Sequence, residues 1–303
     1  MKLTADILPE IQGEYVFNAP LAPYTTLKIG GIADVLFVPE SLEDLTHFMQ
    51  HLSLEIPVSV LGEGSNMMLR DGGIEGVVIR MNEGLNHVDV EGCIITAEAG
   101  ATGGKVARAA REHNLTGAEF LCGIPGSVGG ALKMNAGAYG HETADILESV
   151  QVITETGALK TLLPADLEFS YRHSALPQRW LFVGAVFKLA KGDKEEIRQK
   201  MRQINKDRAT SQPLNKPSSG SWFKNITLPD GSKKHAWQVV DEAGCRGLTF
   251  GGAQVSEKHC NFFINANNAT AHDMETLTEM VEKQVYDKLK IVLQREVRFV
   301  GRK

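Results

Sequence analysis

The chain has 303 residues, of which 43% are hydrophobic, and a formal charge of −5. That length exceeds one ordinary core and predicts two or more domains, while the interspersed acids and bases exclude nucleic acid or an anionic membrane as the main partner. The first residues, Met1–Glu10, carry no apolar signal core, and no later run approaches the roughly 20 apolar residues of a membrane helix, so a cytoplasmic protein is expected.

In chain order, residues 1–24 read as an N-terminal extension. Ala33–Pro39 reads as a strand, followed by a helix that Ser41 and Asp44 open as a capping box. The apolar run Pro57–Val60 is a second strand and leads into Leu61-Gly62-Glu63-Gly64-Ser65-Asn66. Strands are expected at Gly76–Met81 and Cys93–Ala97, and a helix at Gly104–His113. The segment Gly123–Gly140 then packs six glycines among helix-forming residues. Beyond it, Glu148–Thr154 and Ala158–Leu162 flank Glu155-Thr156-Gly157, a hairpin signal that a purely parallel sheet would not give. Trp180–Leu189 is a further strand and Asp193–Arg208 a charged helix, with a domain boundary near 190. The remainder predicts a helix over Ala236–Ala243, a strand at Asn261–Asn265, a long helix capped by Thr270 and Asp273, and a terminal strand at Glu296–Val300. Strands and helices mixed in this order, with a hairpin, indicate an α+β fold.

Cys93, Cys122, Cys245 and Cys260 form no C-x-x-C pair and read as reduced, mostly buried thiols, and the nine histidines show no metal-ligand spacing. No metal is expected.

Glycine permits positive φ and removes the Cβ that would hold a ligand away from the main chain. Two glycine-rich segments, one of them directly after a strand, therefore suggest two contacts with one extended, phosphate-bearing cofactor. Gly62-x-Gly64 lacks the third glycine of the simple dinucleotide fingerprint, and neither segment ends in the Gly-Lys-Ser/Thr of a Walker loop. What remains is a pyrophosphate cradled by backbone amides, with Ser65 and Asn66 as side-chain donors and the turns of 123–130 opposite. Each loop taken singly could equally be a tight turn that packs strands closely.

Thr25-Thr26-x-x-Ile29-Gly30-Gly31, Gly62-x-Gly64-Ser65-Asn66, Gly123-Ile124-Pro125-Gly126-Ser127-Val128-Gly129-Gly130 and Met134-Asn135-Ala136-Gly137-Ala138 occur in one order. Phe169-Ser170-Tyr171-Arg172-His173-Ser174, Gly220-Ser221-Trp222-Phe223-Lys224-Asn225, Gly251-Gly252-Ala253-Gln254-Val255-Ser256 and Leu293-x-x-Glu296-Val297-Arg298 continue it. Together they resemble the UDP-N-acetylenolpyruvoylglucosamine reductase family of peptidoglycan precursor synthesis, over roughly 25 to 301. The short segment between Arg172 and Ser221 resembles the form without an extra tyrosine loop.

The resemblance implies a vanillyl-alcohol-oxidase-type FAD-binding domain of two subdomains, over 25–190, and a C-terminal α+β substrate-binding domain, over 191–303. It implies non-covalent FAD, NADPH as hydride donor and a nucleotide-sugar substrate. Cofactor contacts are expected from Gly62, Gly64, Ser65, Asn66, Gly123, Pro125, Gly126, Ser127, Gly129, Gly130, Asn135, Ala136 and Gly137. The family reaction passes hydride from NADPH through the flavin to the enol ether, leaving an enolate that must be stabilised and protonated. Arg172 matches the family's arginine, Glu296 its glutamate and Ser221 its proton donor. Tyr171, Lys224, Asn225 and His259 are expected substrate contacts, although His259 also suits a hydrogen-bonded core position.

Three positions depart from the family pattern. Glu63 puts a carboxylate where glycine is frequent, and beside a pyrophosphate it must point away or meet a cation. Ile226 replaces a frequent proline and is expected to loosen the turn after Asn225. Gln294 replaces a glutamate, leaving Glu296 as the only carboxylate there. Two rival readings are a related flavin oxidase, which would react rapidly with oxygen once reduced, and a non-catalytic flavin- or nucleotide-binding module. The joint presence of Arg172, Ser221 and Glu296 disfavours the second.

Overall fold

Local signals place most of the elements. In the computed structural model, which describes residues 3–227 and 231–303, helix Leu42–His51 starts where Ser41 Oγ accepts from Asp44 N at 3.1 Å. The long helix Ala271–Leu289 carries a reciprocal capping box: Thr270 Oγ1 accepts from Asp273 N, and Asp273 Oδ2 accepts from Thr270 N, each at 3.0 Å. The charged helix Lys194–Ser211 opens on Asp193, whose Oδ1 accepts from the N–H of Glu195 and of Glu196.

The described residues divide into two compact units. The first comprises residues up to Ala19, Asp34–Glu63 and Gly76–Asp207; the second comprises Pro20–Ala33, Gly64–Glu75 and Arg208–Lys303.

The first unit is organised around two sheets. One has the strand order Glu14–Pro20, Ile32–Val38, Ile74–Ile79, Val58–Val60, and its last pair is parallel, with Val58 opposite Val77 and Val60 opposite Ile79. The other is antiparallel throughout, in the order Leu159–Leu162, Leu147–Ile153, Leu181–Lys188, Ile94–Glu98, Val88–Glu91. Its hairpin turns at Gly157, at φ +77°, as Glu155-Thr156-Gly157 predicts. Helix Gly103–Glu112 and the short helix Val128–Lys133 bury Val106, Ala110 and Leu132 with Ile95, Val150 and Phe187 of this sheet.

The second unit has an antiparallel sheet in the order Ser218–Ser221, Phe262–Asn265, Ala253–Val255, Thr249–Phe250. Helices Ala236–Glu242 and Ala271–Leu289 contribute Val239, Val240, Met274 and Val281 to its core. The centre of that core is Trp222, fully buried and stacked on Phe263 at 4.7 Å and 5°, with Nε1 donating to Thr278 Oγ1 at 2.9 Å.

The compact units differ from ranges divided near residue 190. Helix Lys194–Ser211 directs Ile197 and Met201 into the first unit's core, so the change of unit falls at 207/208. Residues 64–75 go with the second unit because strand Met67–Leu69 pairs in parallel with Arg298–Val300. Asp71 strengthens that tie by accepting from the N–H groups of Ala271 and His272, both at 3.0 Å, at the start of the long helix. The N-terminal extension also contains structure, since Glu14–Pro20 is an edge strand. Asp44 fixes the approach to it by accepting from Gln12 N and Gly13 N.

Candidate active site

In the first unit the strand Val58–Val60 is prolonged by Leu61 N, which donates to Ile79 O at 3.0 Å, and the chain then reaches Gly62. A Cβ at Gly62 would lie 2.6 Å from Ser127 Oγ, so the first glycine loop touches the second and leaves no room for a side chain. Ser127 is buried and its Oγ accepts from Gly130 N at the start of helix Val128–Lys133. The loop that it closes is strapped down by Val128 N to Ala101 O and Gly129 N to Ala99 O, both 2.8 Å. Gly126 sits at φ +132°, a conformation that side chains rarely tolerate. Among the described residues the N–H groups of Gly62, Glu63 and Gly64 meet no acceptor. Adjacent main-chain donors, two of them on glycines without a Cβ, suit a phosphate-bearing ligand, and FAD fits that donor set.

Several expected cofactor residues have a structural reason for their identity that needs no ligand. A Cβ on Gly123 would come within 2.8 Å of Ile204 Cγ2, one on Gly129 within 3.2 Å of Ala99 Cβ, and one on Gly137 within 2.6 Å of His141 O. Ala136 is held at both sides, its N donating to Ala131 O and its O accepting from Thr143 N. Asn135 is buried at φ +38° and spends its amide locally: Oδ1 accepts from Ala144 N at 3.1 Å, and Nδ2 donates to Ser170 O at 3.4 Å. That second bond anchors the turn carrying Arg172. Ser170 and His173 exchange backbone hydrogen bonds of 3.2 and 3.1 Å across the turn. Arg172 lies at φ +56°, with its guanidinium 5.0 Å from the ring centroid of the exposed Tyr171. Pro125 is exposed at the start of the second loop.

The second unit gathers another set. Thr25 packs against Gly64, where a Cβ would lie 2.9 Å from Thr25 Cγ2 and where φ is +61°. Thr26 Oγ1 donates to Gly64 O at 3.4 Å. Ser219 is buried and donates to Met67 O at 2.8 Å, and a Cβ on Gly220, at φ +75°, would be 3.7 Å from Ser65 O. The register of strand Ser218–Ser221 shifts between its two paired residues, Ser218 opposite Ile264 and Ser221 opposite Phe262. This irregularity presents Ser221 half-buried at the strand end. Next to it, Trp222 O accepts from Glu296 N at 2.8 Å, while Glu296 O accepts from Asn66 Nδ2 at 3.3 Å. These bonds bring the main chain of Trp222 and Glu296 and the side chain of Asn66 together, with Ser221 and Ser65 next to them in the sequence. Asn261 is buried; its Oδ1 accepts from Phe223 N at 2.9 Å and its Nδ2 donates to Phe223 O at 2.8 Å. Asn261 has no counterpart among the sequence-derived candidates; a polar residue entering an apolar strand, Asn261-Phe262-Phe263, is the signal that could have found it.

His259 is half-buried, edge-on to Phe262 at 4.8 Å, and its Nδ1 accepts from Asn261 N at 3.2 Å. Burial moves its pKa below the ordinary histidine value, against a smaller opposing backbone hydrogen bond. With Nδ1 accepting, Nε2 is left as the ring's donor. Lys224 is held through its backbone, N donating to Gln294 O at 2.8 Å. Asn225 directs its side-chain oxygen to Ala236 N at 3.2 Å, at the start of helix Ala236–Glu242. Ile226 and Thr227 pair antiparallel to Lys233–Lys234. Glu63 meets a neutral amide, since Asn82 Nδ2 donates to its Oε1 at 2.7 Å. Cys245 and Cys260 are buried and Cys93 and Cys122 half-buried, and all four are thiols outside any disulfide; burial pushes the Cys260 thiol up to about 12. Among the described residues no cluster of three or more histidine, cysteine or acidic side chains could hold a metal, and no helix is long and apolar enough to cross a membrane.

Residues 33–163 match the model of a FAD binding domain, and residues 212–300 match that of the C-terminal domain of UDP-N-acetylenolpyruvoylglucosamine reductase. A UDP-N-acetylenolpyruvoylglucosamine reductase from Paramagnetospirillum magneticum is 47% identical over 296 residues, covering 98% of this chain and 95% of its own. The chain belongs to the UDP-N-acetylenolpyruvoylglucosamine reductase family. A second reductase, from Sphingopyxis alaskensis, is also 47% identical, over 97% of each chain. The crystal structure of the reductase from Thermus caldophilus superposes with a TM-score of 0.81 at 35% identity, covering 96% of this chain and all of that one. The FAD-binding domain that the resemblance implies is thus matched over residues 33–163, and the mixed α and β fold by the reductase structure.

Proposed function

We propose that the protein reduces the enol ether of UDP-N-acetylglucosamine enolpyruvate to UDP-N-acetylmuramate, using NADPH and a non-covalently held FAD, in the cytoplasm. Bound FAD supplies the hydride relay between NADPH and carbon 3 of the enolpyruvyl group. The main-chain donors of Gly62–Gly64 and the turn at Gly126–Ser127 would hold its pyrophosphate, with Ser65 and Asn66 following directly in the chain.

After hydride addition the substrate is an enolate conjugated with a carboxylate. Arg172 offers a planar fork of donors to that charge, and its positive-φ turn, tied by Asn135, limits the reorganisation needed to meet it. Ser221 gives its hydroxyl proton to carbon 2, a transfer that becomes feasible because the enolate carbon is a strong base in a desolvated setting. Glu296 supplies the carboxyl group assigned to the same step. Lys224, His259 through Nε2, and Tyr171 contact the nucleotide sugar. Asn225, whose oxygen is already engaged by Ala236 N, retains its amide hydrogens for the same purpose.

The observation that carries the reading is the hydrogen-bonded chain Trp222–Glu296–Asn66 in the second unit, directly after Ser221. It supports the reading by tying the segment that follows Ser221 to the backbone of Glu296. The test is an anaerobic absorption spectrum of the purified protein. A flavin band is expected, bleached by NADPH and restored by the enolpyruvyl substrate, with free FAD released on denaturation. A bleached flavin restored by oxygen but not by that substrate would favour an oxidase and overturn the reading.

A further inference from the structure

Glu63 stands in the middle of the loop assigned above to the flavin pyrophosphate, and its carboxylate carries the same sign of charge as that group. We propose that Asn82 is a positioning residue for flavin binding, holding the Glu63 carboxylate away from the pyrophosphate. The proposal rests on the reading of Gly62–Gly64 as the pyrophosphate loop.

The geometry points to Asn82 because its Nδ2 donates to Glu63 Oε1 at 2.7 Å, the span of a charge-assisted hydrogen bond. Asn82 is itself placed by its neighbours: its carbonyl accepts from Asn86 Nδ2 at 2.9 Å. Arg80, two residues earlier, secures the loop's other half by donating from Nη1 to Gly62 O at 2.9 Å. The Arg80 side chain is only 12% exposed, and its charge is partly answered by Glu83 at 3.3 Å. The segment 80–86, leaving strand Ile74–Ile79, thus grips both the main chain and the carboxylate of the loop. An asparagine fixes the direction of a carboxylate without neutralising it. If the bond is lost, the full negative charge on a flexible side chain is free to swing toward the unengaged amides of Gly62–Gly64, where it would compete with a phosphate for the same donors.

FAD affinity of the full chain, stripped of flavin and titrated with FAD at low and high salt, tests this with Asn82→Ala, Glu63→Gln and the double variant. Asn82→Ala is expected to weaken FAD binding roughly tenfold at low salt, a modest result for a like charge brought near a diphosphate at a partly exposed site. The penalty should shrink at high salt, because screening reduces repulsion between exposed charges. The double variant should return to within about twofold of Glu63→Gln, since no charge remains to be restrained. A salt-independent loss that persists in the double variant would assign Asn82 to loop shape alone and overturn the proposal. So would a marked loss in Glu63→Gln, which would make the carboxylate a flavin ligand. An unmodified chain that binds no FAD would instead overturn the pyrophosphate reading, and the proposal with it.

Discussion

The glycine loops of the first unit and the Ser221 and Glu296 segments of the second solve opposite problems. At Gly62 and Gly126 the useful groups are main-chain, and side chains are excluded because a neighbour occupies the Cβ position or because φ is positive. At Ser221 and Glu296 the groups proposed to act are side chains, and the neighbouring main chain of Trp222 and Glu296 is committed to hydrogen bonds. The first kind of site fails when anything is added, and the second when one functional group is removed. Loss of ligand affinity should therefore mark the first, and loss of one chemical step the second.

Ser221→Ala should show the largest effect. Turnover is expected to fall by about 10²–10⁴, the span for a lost general acid, while rapid mixing shows flavin reduction by NADPH at a near-normal rate. Reoxidation by substrate at the rate of the unmodified protein would move proton donation to another residue or to water. Arg172→Ala should slow the same half-reaction on the order of a hundredfold, as for a removed oxyanion donor; unchanged turnover would remove Arg172 from the chemistry. On the other side of the comparison, Gly126→Val should weaken FAD binding by roughly tenfold or more, since a β-branched residue at positive φ is strained. Full FAD occupancy in that variant would leave the loop as a packing turn.

Asn261→Ala tests the support beneath Ser221. It strands Phe223 N and O in a buried setting, at about 1–3 kcal/mol for each group left unpaired, and should lower the melting temperature as well as turnover. A stable variant with normal turnover would show that the Trp222–Phe263 stack alone fixes the strand. The smallest effect concerns Glu119 in the first unit. Burial raises its pKa, but hydrogen bonds from Thr116, its own backbone and Gly117, together with the Lys200 charge, outweigh this and hold the carboxyl below the ordinary range. A depressed folded-state pKa means stability that is complete above the unfolded-state value and lost as pH falls through the folded-state value. Glu119→Gln should flatten the acid limb of an unfolding-against-pH curve, and an unchanged limb would exclude the contribution.

Local chemistry was legible in the sequence, and long-range pairing was not. Thr270 with Asp273 and the Gly157 turn carry their signal within a few residues and appear as a hydrogen bond or a positive φ, whereas only the Ser41 half of the expected Ser41–Asp44 box forms, because the Asp44 carboxylate accepts from Gln12, Gly13 and Glu40 instead. The two glycine loops were also visible, because repeated glycine costs backbone entropy that only a tight turn or a close main-chain approach offsets. Strand Glu14–Pro20 escaped because it lies at a sheet edge, where its mixed burial leaves no clean alternation. Residues 64–75 gave no hint of their unit, since their partner strand, Arg298–Val300, lies over two hundred residues away along the chain. Asn135 and Asn225 were not legible as anchors: nothing local announces that Asn135 holds Ser170, or that Asn225 meets the first turn of a helix.

The parallel pairing of Met67–Leu69 with Arg298–Val300 sets an order of events during synthesis. Every segment of the first unit precedes Arg208, so its sheets can close while translation continues, in line with N-terminal units folding first. Residues 64–75 leave the ribosome early with their hydrogen-bonding edge bare, and must wait for nearly the whole remaining chain before the matching strand exists. During that wait Met67, Met68 and Leu69 are an exposed apolar strand seeking a partner. Slow elongation near the end of the message would lengthen that interval.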